Sequence, residues 1–220
     1  MEVRSRMKIT QIEAKTLPEA WFLCIKELFE ESYLYTIDRG SYAGQRRKEF
    51  DFVTVRVEYP SSRPLIPDTP QGVPVPTTMD YVEGYLPYLM VAGKKEKEDY
   101  TYGVDLERQI PEVIRMYKED GYNTNQAYMA VGNAESLFLK DPQCLRGIDT
   151  RVRYGALHFI VYFRSWDLWA GFPSNLAALQ LIKEYMASEI RVKDGELVAC
   201  SKGLHLYDHC WDLARLVIGR

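Results

Sequence analysis

The sequence predicts an α+β fold, a single large mixed or antiparallel β-sheet flanked by helices, on three observations. Some runs alternate apolar with polar residues, as in Phe50-Asp51-Phe52-Val53-Thr54-Val55-Arg56-Val57-Glu58-Tyr59, the period of a strand with one face in water. Other segments repeat their apolar residues every three or four positions, the period of a helix packed by one side. The two kinds of segment follow one another without regular βαβ alternation and without internal repeats.

At 220 residues the chain is long enough for one substantial core and short for two, so a single domain over 1–220 is expected. A hydrophobic content of 46% with 27% charged residues is that of a soluble globular protein. The net charge of −3 gives no electrostatic footprint for nonspecific nucleic-acid binding. Arg46-Arg47-Lys48 is a short basic cluster followed by Glu49 and reads as a solvated loop. No apolar run approaches membrane-spanning length, and the polar start Met1-Glu2-Val3-Arg4 is no secretory signal. The four cysteines, Cys24, Cys144, Cys200 and Cys210, form no CxxC pair, so free thiols in a reducing cytoplasm are expected. Neither membrane nor nucleic acid is an expected partner.

In chain order, a short strand is expected over 7–14, then a helix over 18–31. In that helix Trp21, Phe22, Ile25, Leu28 and Phe29 recur at helical spacing, Pro18 suits the first turn, and Cys24 reads as core packing. A strand over 50–59 leads into an irregular connector, 60–76, holding six of the eleven prolines. Thr77 or Thr78 caps a helix running to 90. The charged run 93–99 is a surface turn, and a helix over 105–118 contains Pro111 and ends at Gly121. A strand over 125–132 follows. Residues 149–153 are polar, and Gly155 turns the chain into 156–163, apolar enough for a strand buried on both faces and carrying His158 as a core histidine. After Asn175, a central helix over 176–190 backs the sheet. Lys193-Asp194-Gly195 reads as a turn, 196–201 as a strand and 206–218 as a last helix.

The chemistry concentrates between Pro142 and Asn175. A buried strand ending abruptly in Arg164-Ser165-Trp166-Asp167 cannot keep those groups inside without partners. Cys144 precedes the strand region, and an arginine, a hydroxyl, a carboxylate and an amide leave it. Cys144, the Arg164-Ser165-x-Asp167 run, Gly171-Phe172-Pro173-Ser174-Asn175 and His205-Leu206-Tyr207 together resemble, in order and spacing, the thymidylate synthase signature. The resemblance is strong over 124–210 and traceable back to Arg39, and the length resembles the shorter archaeal, methanogen-type branch.

That resemblance implies a thymidylate synthase-like fold, a homodimer, and reductive methylation of dUMP to dTMP. The donor is 5,10-methylene-tetrahydrofolate or methylene-tetrahydromethanopterin. Cys144 is the implied nucleophile, its thiolate adding to C6 of the pyrimidine, which requires a lowered pKa that Arg164 is positioned in sequence to supply. Arg39, Arg164 and Ser165 resemble phosphate ligands, since guanidinium and hydroxyl suit phosphate oxygens. The alternative for Arg164 is an ion pair with Asp167. Asn175, with one acceptor and one donor side, suits N3–H and O4 of uracil where a carboxylate suits cytosine; alternatively it caps the helix that follows. His205 and Tyr207 resemble the pair that bonds the sugar 3′-hydroxyl, or form a buried hydrogen-bonded pair of their own. Glu83 aligns with a proton-managing glutamate tuned by partial burial, and Tyr102 with the tyrosine at the C5 proton. The alternative for Tyr102 is surface packing. Asp167 resembles the carboxylate facing the pterin. His205 and His209 lack a third ligand, so no metal is expected.

The chain departs from the family in several positions. Asn125-Gln126 stand where the family has two arginines donated by the partner subunit, which would move phosphate binding toward Arg146, Arg151 or Arg153. Leu145 replaces a histidine and Phe163 a glutamine. The tryptophan-bearing insertion around 94–100 and the longer tail beyond Arg220 are lacking, so the nucleotide half is expected to be better kept than the pterin half. Two other readings stay open: a dUMP or dCMP hydroxymethylase, with water replacing hydride at the last step, and a non-catalytic nucleotide- or RNA-binding regulator.

Overall fold

The computed structural model describes residues 6–93 and 100–220; the charged run 93–99 lies, apart from Gly93, outside the described residues. The large mixed sheet holds six strands in the order β1 (Ile9–Ala14), β4 (Phe52–Val57), β9 (Lys193–Ser201), β7 (Ala156–Phe163), β6 (Leu145–Arg153) and β5 (Tyr128–Ala130). Only the β1–β4 and β7–β9 pairs are parallel. A smaller sheet joins β2 (Tyr33–Thr36), β3 (Arg46–Glu49), β10 (Leu204–Tyr207) and β8 (Trp166–Asp167). The basic cluster at Arg46-Arg47-Lys48 is therefore a paired strand and not a loop, because β10 and β2 flank it on either side.

Helices cover one face of the large sheet. Helix α1 (Leu17–Glu30) is capped by the Thr16 hydroxyl and buries Leu17, Ala20, Trp21, Cys24, Ile25 and Leu28, the three-and-four spacing that faces a sheet. Helix α4 (Gly171–Ile190) buries thirteen of its twenty residues, so it is enclosed on several sides as a central helix must be. Helices α2 (Met79–Met90) and α3 (Gly103–Arg115) pack beside it, and α5 (Trp211–Val217) closes the chain. Thr78 caps α2 through Tyr81 N–H at 3.2 Å. Pro111 is tolerated inside α3 because it and Glu107, whose carbonyl it leaves unpaired, are exposed to water. A Cβ on Gly103 would lie 1.9 Å from the Val91 carbonyl, so only glycine lets α3 start against the end of α2.

Strand β7 is not buried on both faces. Leu157, Phe159, Val161 and Phe163 point into the core while Ile160 (39%) and Tyr162 (36%) are exposed, so the uncovered side of the sheet is apolar by composition rather than by burial. The polar segment 149–153 belongs to β6: Thr150 and Val152 face inward and the charges outward, an alternation hidden by the polarity of Thr150. Strand β5 is shorter than 125–132, with Asn125 and Gln126 exposed ahead of it. The last helix is likewise shorter, its first residues forming β10 and a single 3-10 turn, Asp208–Cys210. His158 is satisfied by the Arg153 carbonyl and the Glu196 N–H.

Lys193-Asp194-Gly195 begins β9 instead of forming a turn. Helix α4 ends in Arg191, held at φ +65°, and the chain enters the sheet at once. Gly195 lets the strands meet, since a Cβ there would sit 2.6 Å from the Leu157 carbonyl. Lys183, fully buried on α4, donates to the Gly195 carbonyl and lies 3.2 Å from the Asp194 carboxylate, tying helix to strand. Burial lowers its pKa to about 8, with Asp194 opposing the shift. Between about 8 and the usual lysine value of 10.5 the unfolded chain therefore binds more protons than the folded one. This component of stability is weakest below pH 8 and grows as pH rises through the window. Urea unfolding at stepped pH should show Lys183→Met losing this rise relative to wild type, while the buried tyrosines, common to both, cancel.

Candidate functional site

The β6–β7 hairpin turns at Tyr154-Gly155, both at positive φ (54° and 74°), the two-residue geometry that matches strand twist. Its open end carries Cys144 and Arg164, joined by a backbone bond from Arg164 N–H to the Cys144 carbonyl at 2.8 Å. A cavity of about 680 Å³ opens beside them, lined by Cys144, Ser165, Trp166, Asp167, Gly171 and Asn175. Its opposite wall is aromatic: Tyr81, Tyr85 and Tyr88 on one face of α2, then Tyr100 and Tyr102. A second hollow of about 570 Å³ continues from it between Pro76-Thr77-Thr78 and the start of α4, sharing Tyr81, Tyr85, Asp167, Gly171 and Asn175.

Five of the residues singled out from sequence thus share one cavity: Cys144, Ser165, Asp167, Asn175 and Tyr102. Arg164 sits just behind it. Its guanidinium donates to the carbonyls of Pro142 and Gln143, and its Nη2 lies 3.9 Å from Cys144 Sγ. It does not pair with Asp167, whose carboxylate instead accepts from Trp169, Ala170 and Gly171 N–H at 3.2, 2.9 and 3.0 Å. Asp167 therefore closes the turn that leads into α4 and reaches its first N–H, where a negative charge also meets the positive end of the helix dipole. The helix begins at Gly171, which rules out Asn175 as its cap and puts the amide one turn inside. There Asn175 Oδ1 accepts from Trp166 Nε1 at 2.9 Å and Nδ2 donates to the Tyr85 hydroxyl at 3.2 Å.

The expected lowering of the Cys144 pKa is not found. Burial pushes the thiol above its ordinary value, and Arg164, followed by a hydrogen bond from Tyr100, only partly offsets it. Three contacts with carbonyls draw the guanidinium toward the backbone, so desolvation wins. Tyr102 is buried at 5% and its hydroxyl accepts from Leu145 N–H at 3.3 Å, against packing at the surface. Burial also drives its pKa well up, so it is a neutral phenol. Glu83 is exposed and outside the cavity lining, because α2 turns Tyr81, Tyr85 and Tyr88 inward and Glu83 away; the partial burial expected of its carboxyl is absent.

His205 and Tyr207 lie on β10, in register with Glu49 and Arg47 of β3, and His205 also with Asp167 of β8. Burial, then the Arg47 charge, lowers the His205 pKa to about 4, so the ring is neutral at pH 7. Its Nδ1 is 2.8 Å from the Gly203 carbonyl and must carry the hydrogen, which leaves Nε2 an acceptor, buried and unmatched by any protein donor among the described residues. Burial raises the Tyr207 phenol to about 12, and the ring packs on Tyr42, His205 and His209. Arg39 is exposed, but the next turn of its loop is docked where the Ser41 hydroxyl meets the Asp141 carboxylate, three residues before Cys144. Arg151 and Arg153 bond Asn125 and Asn123, and Arg146 approaches Gln143; none lines the cavity.

Sequence reasoning missed Arg47, Tyr85 and Trp166. Arg47 is 2.9 Å from Glu49, bonds Tyr35 and helps lower both Cys144 and His205. The available signal for Tyr85 was the 81, 85, 88 spacing, one stripe of a helix. Nothing local marked Arg47 or Trp166, which act through strands far apart in sequence.

A family model for thymidylate synthase matches residues 92–220. Similar full-length chains come from methanogens and carry the name "Putative thymidylate synthase". That of Methanosarcina acetivorans is 25% identical and that of Methanosarcina mazei 26% identical, each over 213 residues and 94% of both chains. That of Methanococcoides burtonii is 27% identical over 215 residues, again 94% of both. Among the described residues no helix is long and apolar enough to cross a membrane.

The balance at Cys144 has a measurable consequence. Alkylation of Cys144 by iodoacetamide followed from pH 7 to 12 should rise with a midpoint above that of an ordinary thiol. Arg164→Gln should move it further up, because the largest opposing charge is gone. A midpoint below the ordinary value in wild type would contradict the dominance of burial.

Proposed function

Because the chain belongs to the thymidylate synthase family, in its shorter methanogen-type branch, we propose that it converts dUMP to dTMP by reductive methylation. One observation carries this reading: a thiol and a carboxamide, Cys144, paired across the hairpin to Arg164, and Asn175 on α4, face the same nucleotide-sized cavity. Burial favours the thiol of Cys144 at rest, so its minor thiolate fraction, formed by loss of the thiol proton to solvent and stabilised by Arg164, adds to C6 of the pyrimidine and makes C5 carbanion-like. Asn175 has one hydrogen and one lone pair uncommitted by Tyr85 and Trp166, enough to meet N3–H and O4 of uracil. The free Nε2 acceptor of His205 suits the 3′-hydroxyl, with Tyr207 beside it. Arg164, Ser165 and Arg39 take the phosphate, and Arg47 adds a cation that a strand holds in register with Tyr207. Tyr102 stands over Cys144 at the C5 proton; Tyr85, touching Asn175, replaces Glu83 at the O4 edge.

The second hollow fits a reduced pterin. Its walls include the near-parallel rings of Tyr81 and Tyr85, 6.2 Å apart, and Asp167, whose Oδ1 keeps a lone pair for a ring N–H. The donor, 5,10-methylene-tetrahydrofolate or methylene-tetrahydromethanopterin, supplies the carbon unit and the hydride. The uncovered face of the large sheet, with Phe52, Val198, Ile160 and Tyr162 near its middle, suits a second copy of the chain, and a homodimer is part of the reading. Sedimentation at micromolar concentration should give twice the chain mass, falling to the monomer mass when Ile160 and Tyr162 are both changed to lysine.

The decisive experiment is tritium release from dUMP labelled at C5, with each donor in turn. Release is expected with at least one donor and should be lost in Cys144→Ser, with dTMP as the product by mass. A hydroxymethylated product would identify water, not hydride, in the last step. No release with either donor would overturn the proposal.

A further inference from the structure

The carboxamide of Asn175 has two ends of nearly equal shape, and a half-turn exchanges them. The exchange matters at a pyrimidine edge. Uracil offers a donor, N3–H, beside an acceptor, O4; cytosine offers an acceptor, N3, beside its amino donor. A carboxamide free to turn suits either base.

Here it is not free. Trp166 Nε1 is 2.9 Å from Asn175 Oδ1, and an indole N–H can only donate, so the oxygen end must lie on that side. The Tyr85 hydroxyl at 3.2 Å from Nδ2 does not decide the matter, since a hydroxyl donates or accepts equally well. The indole cannot move aside to accommodate the other orientation. It is 3% exposed, stacked on Phe163 at 4.0 Å and 6° and packed against Phe172 at 4.6 Å. A turned amide would aim its NH₂ at a buried N–H and leave that donor without an acceptor.

We propose that Trp166 is the positioning residue for base choice: its indole N–H holds the Asn175 carboxamide in the one orientation that reads uracil and refuses cytosine. Phe163 and Phe172 serve this by clamping the indole ring. The inference rests on the reading of Asn175 as the base contact and deepens it.

The test is calorimetric titration of the full chain with dUMP and with dCMP, comparing wild type and Trp166→Phe. Wild type should prefer dUMP. In Trp166→Phe the ratio of the two dissociation constants should fall about tenfold, the worth of one hydrogen bond, partly through tighter dCMP binding. A Trp166→Phe protein that keeps the wild-type ratio, or weakens both nucleotides by the same factor, overturns the positioning role while the reading of Asn175 stands. A wild type that prefers dCMP, or binds neither nucleotide, overturns that reading and the inference with it. If Trp166→Phe does not fold, the benzothiophene analogue of tryptophan at 166 keeps the ring and replaces N–H by sulfur, with the same tenfold fall expected.

Discussion

The site depends on the register of one hairpin. Strands β6 and β7 close on Tyr154-Gly155, and near the turn their partners are Arg153 and Ala156. Continued unbroken, that register would set Cys144 opposite Ser165. An irregularity between Leu145 and Gly147 shifts the pairing by one residue, so that Leu145 meets Phe163 and Cys144 meets Arg164. A one-residue slip moves side chains to the other face of a strand, so the bulge decides which group lies beside the sulfur. The neighbouring strand β9, pinned by Lys183 of α4, holds β7 from its other edge.

From that hairpin end the chain builds the remaining polar wall within a dozen residues. Trp166 and Asp167 form a two-residue strand against β10, and the Asp167 carboxylate then starts α4 by accepting three backbone N–H groups. That contact does two things at once: it satisfies the first N–H of a buried helix and sets the phase that turns Asn175 to the cavity. The price of enclosing these groups is visible at Cys144, Tyr102 and His205, each shifted by burial toward its neutral form. A neutral cavity wall with a few fixed donors and acceptors is a surface for recognising a base edge, while Arg164 is held behind it by the Pro142 and Gln143 carbonyls and Arg47 is carried by strand β3.

Much of the fold was legible. The helix at 18–31 and the strand at 50–59 follow from period alone, while Thr78 marks the cap of α2 and Gly155 the β6–β7 turn by residue type. Legibility failed where composition and environment part company. Ala156–Phe163 is nearly all apolar yet half of it faces outward, because the helices cover one face of the sheet and composition does not say which face of a strand is covered. Arg46-Arg47-Lys48 is charged yet paired in a sheet, because Glu49, the face of Tyr35 and the cross-strand Tyr207 are the surroundings of Arg47. Glu83 has the residue type the chemistry asks for, but helical phase turns it to solvent and brings Tyr85 in.

The sequence by itself determined the kind of fold, the family, and five of the groups that line the candidate cavity, Tyr102, Cys144, Ser165, Asp167 and Asn175, since residue type and spacing are local information. Tertiary structure alone decided their states and partners. Whether Cys144 is a thiol or thiolate is a contest between burial and a charge twenty residues away, and which way round Asn175 sits is settled by an indole held between Phe163 and Phe172. Desolvation and hydrogen-bond direction depend on everything packed around a group, and no linear pattern encodes that.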